Sequence, residues 1–241
     1  MAARAPSVTQ APANTIKISP SDLSFALDEC QRCLWRKIVQ GERKPRQPMP
    51  SIFTAIDGGM KTFYNGAGPE VVPCDGFPAG KFDLDRTEVV CSAPLANLGF
   101  AYPKFVISGK MDTLYRCADG TVGVVDFKTS RVKPEYIAKY GRQLHAYGWC
   151  LEHPGGGPAD PMVVSRMGLL SWALNREEEA VSPPTGIPAK DCLALYGTPA
   201  WHEVVINWFE FRETMIRLCY MLLGSEPAPS PGCEWCAWKR T

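Results

Sequence analysis

The sequence lacks three features that would place it in common classes of protein. It has no apolar run of the about 18 residues that a membrane-spanning helix needs, so we predict no membrane segment. It has no secretory hydrophobic segment near its N-terminus, which predicts a cytoplasmic location. Its net charge is only +1, so any binding of nucleic acid must come from local basic patches rather than from a global positive field.

Nucleophilic catalysis and nucleotide binding also find little support. The chain has three histidines, and no Ser-His-Asp or Cys-His order links them to a nucleophile. The glycine run at residues 155–157 lacks the preceding strand and the Lys-Ser/Thr pair of a phosphate-binding loop, so it is interpreted as a linker. Any chemistry must therefore come from other side chains.

The composition predicts one folded domain behind a short tail. Hydrophobic residues make up 45% of the 241 positions, which is enough for the core of a single α/β domain. The first residues are rich in Ala, Pro, Ser and Thr, and we predict a disordered tail over residues 1–16. A single domain without internal repeats is predicted over residues 17–241.

Helical and strand patterns alternate along this domain. Ser19 is predicted to cap a helix that begins at Pro20 and continues to a stop signal at Gly41. Residues 177–188 are predicted to form a hairpin excursion. The order predicts an α/β fold with a mixed central β-sheet flanked by helices. The other predicted helices cover residues 52–64, 134–152 and 208–223. Strands are predicted over residues 81–93, 163–174 and 201–207, and a hairpin over residues 105–126.

The stretch from residue 108 to residue 147 carries the most informative pattern. Asp119-Gly120 is a hairpin signal that brings the segment of Asp112 beside the strand that ends at Asp126. Side chains alternate along a strand, so Asp126 and Lys128 share a face while Phe127 points into the core. Two neighbouring carboxylates repel each other, and a hard cation such as Mg²⁺ relieves that repulsion. The pattern predicts a metal site, with the lysine available to an attacking water or a phosphate oxygen.

Three short motifs, in this order, resemble the PD-(D/E)XK nucleases, and specifically their RecB-like and CRISPR-adaptation branch. The resemblance implies a restriction-endonuclease-like core. It also implies a metal-dependent DNA nuclease that acts in repair, recombination or CRISPR-type DNA processing, on DNA that is single-stranded or has single-stranded ends, with protein partners in a DNA-processing complex. The motifs are Gly109-x-x-Asp112, Asp126-x-Lys128 and Gln143-x-x-x-Tyr147.

The resemblance also implies a role for each matching residue. Asp112 and Asp126 would bind Mg²⁺ or Mn²⁺, Lys128 would be catalytic, and Gln143 and Tyr147 would face the site from the next helix. The backbone carbonyl of Phe127 would be a further metal ligand. Residues predicted to contact nucleic acid are Arg43, Lys44, Arg46, Lys133, Lys139 and Arg142.

One departure from the family supports an alternative function. Related nucleases often place a His or Glu metal ligand on the helix predicted here at residues 52–64, whereas this helix offers Asp57 and Lys61. Asp57 can substitute for the usual ligand. If it does not, the chain is a catalytically inactive module that uses the nuclease fold for DNA binding or assembly.

Four of the ten cysteines form two CxxC pairs, Cys30 with Cys33 and Cys233 with Cys236. Two such pairs complete a four-sulfur set for zinc or an iron–sulfur cluster. The resemblance implies a 4Fe–4S cluster, but the related pattern has one early and three late cysteines, so zinc stays open. Unliganded thiols and a redox pair are the remaining alternatives. The isolated cysteines are interpreted as ordinary thiols: Cys74, Cys91, Cys117, Cys150, Cys192 and Cys219.

Overall fold

The computed structural model describes most of the predicted domain. The described residues are 15–24, 26, 28–45, 48–84, 89–100, 103–155, 160–174 and 197–238. The predicted excursion at residues 177–188 and the first 14 residues of the predicted tail lie outside them. No helix within these ranges is long and apolar enough to cross a membrane.

A five-stranded mixed sheet forms the centre of the fold. Its strand order is β2-β5-β6-β7-β8, and only the β6–β7 pair is parallel, because α4 crosses over between these two strands. The turn between β5 and β6 is the predicted hairpin, and Gly120 adopts φ 88° there. The elements are β2 (Gly80–Asp83), β5 (Thr113–Cys117), β6 (Val122–Lys128), β7 (Val164–Leu174), β8 (Gly197–Glu203) and α4 (Pro134–Glu152).

A second, three-stranded mixed sheet has the order β1-β4-β3. Its strands are β1 (Thr15–Ile18), β3 (Val89–Cys91) and β4 (Lys104–Lys110), with β1 parallel to β4 and β3 antiparallel to it. Residues 15 and 16 therefore belong to a strand, which corrects the boundary predicted for the N-terminal tail. β1 pairs with a strand about 90 residues away, so no local pattern marks it.

The helices largely follow the predicted pattern, with one break near the N-terminus. Ser19 caps α1 in a capping box with Asp22, as the sequence indicates. The predicted continuous helix is wrong, however, because α1 ends at Leu23 and α2 begins at Gln31. The Arg142 guanidinium donates to the backbone carbonyls of Leu23 and Ser24 and so provides partners for acceptors at the end of α1. The helices are α1 (Pro20–Leu23), α2 (Gln31–Val39), α3 (Ser51–Tyr64), α5 (Trp208–Leu223) and α6 (Glu234–Trp238).

Helices cover both faces of the five-stranded sheet, which confirms the predicted fold class. On one face, Leu144 and Tyr147 of α4 pack with Val124 of β6. On the other face, Tyr64 of α3 packs with Phe127, and their rings stack with centroids 5.5 Å apart. This alternation along β6 leaves Asp126 and Lys128 on the face that α4 covers.

Candidate functional site

The two predicted metal-binding acids lie opposite each other in the β5–β6 hairpin. Thr113 pairs with Val125, and continuing this antiparallel register places Asp112, just before β5, opposite Asp126. Asp126 is only 4% exposed, whereas Asp112 is half-buried. The hairpin therefore sets a buried carboxylate beside a more accessible one at the end of the sheet.

Three groups define the surroundings of Asp126. Gln143 Nε2 donates to Asp126 Oδ1 at 3.2 Å, and the Lys128 ammonium forms an ion pair with Oδ2. Burial raises the pKa of Asp126 to about 6, since the charge of Lys128 offsets burial only in part and the charge of Asp112 adds to its effect. Lys128 Nζ also lies 4.1 Å from the centre of the Tyr140 ring, and this cation–π contact restricts the position of the ammonium.

Helix α3 brings a third carboxylate to this site. Lys61 Nζ lies 2.8 Å from Asp57 Oδ2 and 3.3 Å from Asp112 Oδ1, so one ammonium bridges the two acids. Burial alone would lower the pKa of Lys61, but the hydrogen bond to Asp57 and the charge of Asp112 raise it. Asp57 and Lys61, the polar residues that α3 offers instead of a His or Glu, therefore both lie at the site.

Gln143 and Tyr147 act as supports for the acids. Gln143 Oε1 accepts from Ser24 Oγ at 3.0 Å, so the side chain that holds Asp126 is itself oriented by the end of α1. The Tyr147 hydroxyl donates to the Lys110 carbonyl at 2.7 Å and fixes the chain just before Asp112. Burial raises the pKa of Tyr147 to about 12, which keeps it a neutral donor.

The packing explains the glycine in the first motif. A Cβ on Gly109 would lie 2.6 Å from Cδ of Pro20 and 3.5 Å from Cε1 of Tyr147. A side chain there would push Pro20 and α1 away from β4, whereas its distance to Tyr147 of α4 would be an ordinary van der Waals contact. The glycine therefore allows the close packing that positions the segment leading to Asp112.

The acids present fit a divalent cation. Asp126 Oδ2 is a buried carboxylate oxygen whose positive partner is the Lys128 ammonium. Together with Asp112 and Asp57, it forms an oxygen-rich donor set of the kind that Mg²⁺ and Mn²⁺ prefer. The role of the Phe127 carbonyl stays a prediction.

The residues predicted to contact nucleic acid fall into different settings. Lys133 is exposed just before α4, and Lys139 Nζ lies 5.2 Å from the centre of the Tyr136 ring. Arg43 and Lys44 are exposed near the cysteine pairs rather than at the acids, and Arg46 lies outside the described residues.

Arg142 has partners within the chain itself. Besides its bonds to the end of α1, it forms an ion pair with Asp28, so its guanidinium supports the fold, and a contact with nucleic acid stays a prediction.

One polar pair near the acids was missed by the sequence analysis. His202 Nε2 lies 3.1 Å from Ser171 Oγ, and Ser171 is the β7 partner of Lys128. Leu169 pairs with both Asp126 and His202, so the imidazole and the acid share one face of the sheet. Only the register of β8 on β7 reveals this arrangement, and no local pattern in the sequence indicates that register.

The four cysteines of the CxxC pairs meet in one place. Their Sγ atoms all lie within 4.8 Å of one another, although the pairs are about 200 residues apart in the chain. Cys30, Cys33 and Cys236 are buried, Cys233 is half-buried, and all four are free thiols. The group can hold a metal, as the spacing predicts.

The burial of Asp126 leads to a prediction about stability and pH. Its pKa is about 6 in the folded protein against 3.8 ordinarily, so folding favours the neutral form. The contribution of this group to stability is therefore present below pH 4 and is lost as the pH rises towards 6. The loss corresponds to roughly 2–3 kcal/mol. We expect Asp126→Asn to raise the thermal stability of the metal-free protein at pH 7.5. Parallel pH–Tm curves for the variant and the wild type would contradict this expectation.

Comparisons with known proteins identify a family and a similar fold. Residues 72–241 match the family model of the PD-(D/E)XK nuclease superfamily, a range that includes all three motifs and the late cysteine pair. The fold is similar to the crystal structure of SSO0001, with a TM-score of 0.51 and 14% identity over 96% of this chain and 86% of that one. No curated protein matches the chain. The chain belongs to the PD-(D/E)XK nuclease superfamily.

Proposed function

We propose that the chain is a Mg²⁺- or Mn²⁺-dependent deoxyribonuclease that hydrolyses phosphodiester bonds. The observation that carries this proposal is the buried carboxylate of Asp126, set opposite Asp112 and paired with Lys128 at one end of the sheet. Membership of a superfamily of nucleases supports hydrolysis of nucleic acid. The choice of DNA and of these metals rests on the motif resemblance and on the oxygen donors of the site.

Each residue of the site has a separate proposed role in this reaction. Asp112 and Asp126 would hold the cation, which supplies polarisation of the phosphate and a lowered pKa for a bound water. The Lys128 ammonium, held against Tyr140, places positive charge where a phosphate oxygen gains negative charge. Gln143 keeps the Asp126 carboxylate in one orientation by donating to Oδ1. Tyr147 holds the backbone before Asp112 and so acts as a positioning residue.

We also propose that Asp57 serves as a further acid of the metal site. It stands on the helix where related nucleases place a His or Glu, and Lys61 links it to Asp112. We expect Asp57→Asn to raise the Mn²⁺ concentration for half-maximal cleavage by roughly tenfold, because a negative charge near the cation is lost. Glu213→Gln, an exposed change on α5, is the matched control. Equal Mn²⁺ dependence in the wild type and both variants would remove Asp57 from the site.

The proposed substrate is DNA that is single-stranded or has single-stranded ends. Lys133 and Lys139, at the start of the helix that carries Gln143, are the basic residues best placed to bind its phosphates. A RecB-like subtype, a pathway in repair, recombination or CRISPR-type processing, partners in a DNA-processing complex and a cytoplasmic location are part of the same proposal. They rest on the motif resemblance and the sequence pattern alone.

One observation favours a second candidate function, a catalytically inactive module for DNA binding or assembly. The Lys61 ammonium already lies 3.3 Å from Asp112, so it compensates charge that a metal would otherwise compensate. In an inactive module this ion pair would replace the cation. In an enzyme, the Lys61 ammonium must move away from Asp112 when the metal binds, or Asp112 must contact both the ammonium and the metal.

A cleavage assay on three DNA forms separates the two candidates. Labelled single strands, blunt duplexes and duplexes with single-stranded overhangs are incubated with Mn²⁺, with Mg²⁺ or with a chelator. A nuclease of the proposed kind degrades the forms with single-stranded DNA only when metal is present. Binding of all forms without cleavage under any metal condition would favour the inactive module.

A further inference from the structure

The separations between the four sulfurs indicate how many metal atoms the cysteine site holds. Cys33 Sγ lies 3.5 Å from Cys236 Sγ and 3.6 Å from Cys233 Sγ, and Cys30 Sγ lies 3.7 Å from Cys236 Sγ. These distances are far too long for disulfide bonds, whose sulfurs are about 2 Å apart. These three pairs of sulfurs are nevertheless at van der Waals contact distance.

A single tetrahedral ion predicts this spacing. Zinc–sulfur bonds of about 2.3 Å directed to the corners of a tetrahedron place the sulfurs about 3.8 Å apart. The three contact distances are close to this value, and the longest separation in the group stays within 4.8 Å.

A 4Fe–4S cluster requires a different arrangement. Each of its four thiolates binds a different iron atom, so the iron and sulfide atoms lie between the cysteines and keep them out of contact. The contacts made by Cys33 with both late cysteines leave no room for such a core between them. The residues therefore do not fit the cluster that the motif resemblance implies.

We propose that Cys30, Cys33, Cys233 and Cys236 bind one zinc ion in tetrahedral coordination, as a structural site. Four protein ligands close the coordination sphere, which is the pattern of structural rather than catalytic zinc. The backbone N–H of Ser230 donates to Cys30 Sγ at 3.4 Å and helps to hold that sulfur in place. This assignment does not depend on nuclease activity.

The neighbouring ion pairs define which part of the chain the zinc must hold. Glu226 pairs with Arg32 and Arg36 of α2, and Trp35 Nε1 donates to the Gly224 carbonyl at 3.2 Å. The chain is therefore tied to α2 as far as residue 226 without any metal. Loss of zinc should release only the segment that follows, which contains few apolar side chains apart from Trp235 and its neighbours.

The test begins with metal analysis of the full chain, expressed in medium with both iron and zinc and purified without oxygen. We expect one zinc per chain, no iron and no absorbance near 400 nm. Exchange of the zinc for cobalt(II) should give the intense visible bands of a tetrahedral thiolate site. About four irons per chain with a brown colour, or a cluster that assembles from iron and sulfide and resists chelation, would overturn the proposal. Protein that contains neither metal and has four freely alkylatable thiols would overturn it as well.

Substitutions test the same site by a second measurement. Cys33→Ser and Cys233→Ser should lose the zinc, and the rate at which protease removes the segment after Glu226 should rise roughly tenfold. Cys74→Ser is the matched control and should keep one zinc, because Cys74 lies apart from the four-cysteine group. If the variants do not fold, removal of zinc from the wild-type chain by a chelator provides the same readout. Unchanged protease resistance after complete zinc removal would contradict a structural role.

Discussion

Replacing Asp112 or Asp126 by asparagine should abolish DNA cleavage while the fold stays intact. Each change removes one negative ligand from the proposed metal site but keeps the size of the side chain. The lost transition-state stabilisation is several kcal/mol, so we expect the rate to fall roughly a thousandfold. Asp126→Asn should also be tolerated by the buried site, because it removes a charge that burial disfavours. Single-turnover cleavage rates with saturating Mn²⁺ measure the effect.

The control for these variants is Asp160→Asn, which changes an exposed carboxylate outside the site. It should cleave at the wild-type rate, and circular dichroism should be the same for all variants. Full activity in either metal-site variant would show that the acids of the hairpin are not the active site.

Lys128→Ala should lose most of the turnover and keep the binding of metal. The lysine pairs with Asp126 and projects its charge towards water or phosphate, so its removal leaves the carboxylates of the site in place. We expect the turnover rate to fall roughly a hundredfold or more. Isothermal titration with Mn²⁺ should show an affinity at least equal to that of the wild type, because a competing cation has been removed from beside Asp126.

Lys81→Ala, an exposed change on β2, is the matched control for this experiment. It should change neither turnover nor Mn²⁺ affinity. If Lys128→Ala loses as much metal affinity as the aspartate variants do, the proposed division of roles between acids and lysine is wrong.

The parts of the fold that follow local patterns could be predicted from the sequence. The helices at residues 134–152 and 208–223 have the predicted bounds, because each carries a long apolar stripe between clear start and stop signals. The Asp119-Gly120 turn formed the expected hairpin because Gly120 allows a positive φ. The strand predicted at residues 201–207 lies instead at residues 197–203, so its existence was predictable but its bounds were not.

Features that depend on distant partners could not be predicted. β1 pairs with β4, and the carbonyls at the end of α1 accept hydrogen bonds from Arg142, far along the chain. Pairing with a distant strand, or a hydrogen bond from a distant side chain, leaves no periodic pattern in the local sequence.

The same distinction applies to the candidate site. The shared face of Asp126 and Lys128 follows from strand alternation, and the hairpin places Asp112 beside them. The bridge from Lys61 to Asp112 and the Ser171–His202 pair arise from the packing of α3 and β8, which only the folded structure shows.

The most direct test of the proposed active site compares the wild type with Asp126→Asn in one cleavage experiment. Both proteins are mixed in excess with an end-labelled oligonucleotide duplex that has a single-stranded overhang, with Mn²⁺ or with a chelator. We predict cleavage by the wild type with Mn²⁺ only, and none above background by the variant. Cleavage at equal rates by both proteins, or cleavage by the wild type that persists in the chelator, would contradict a metal-dependent site at Asp126.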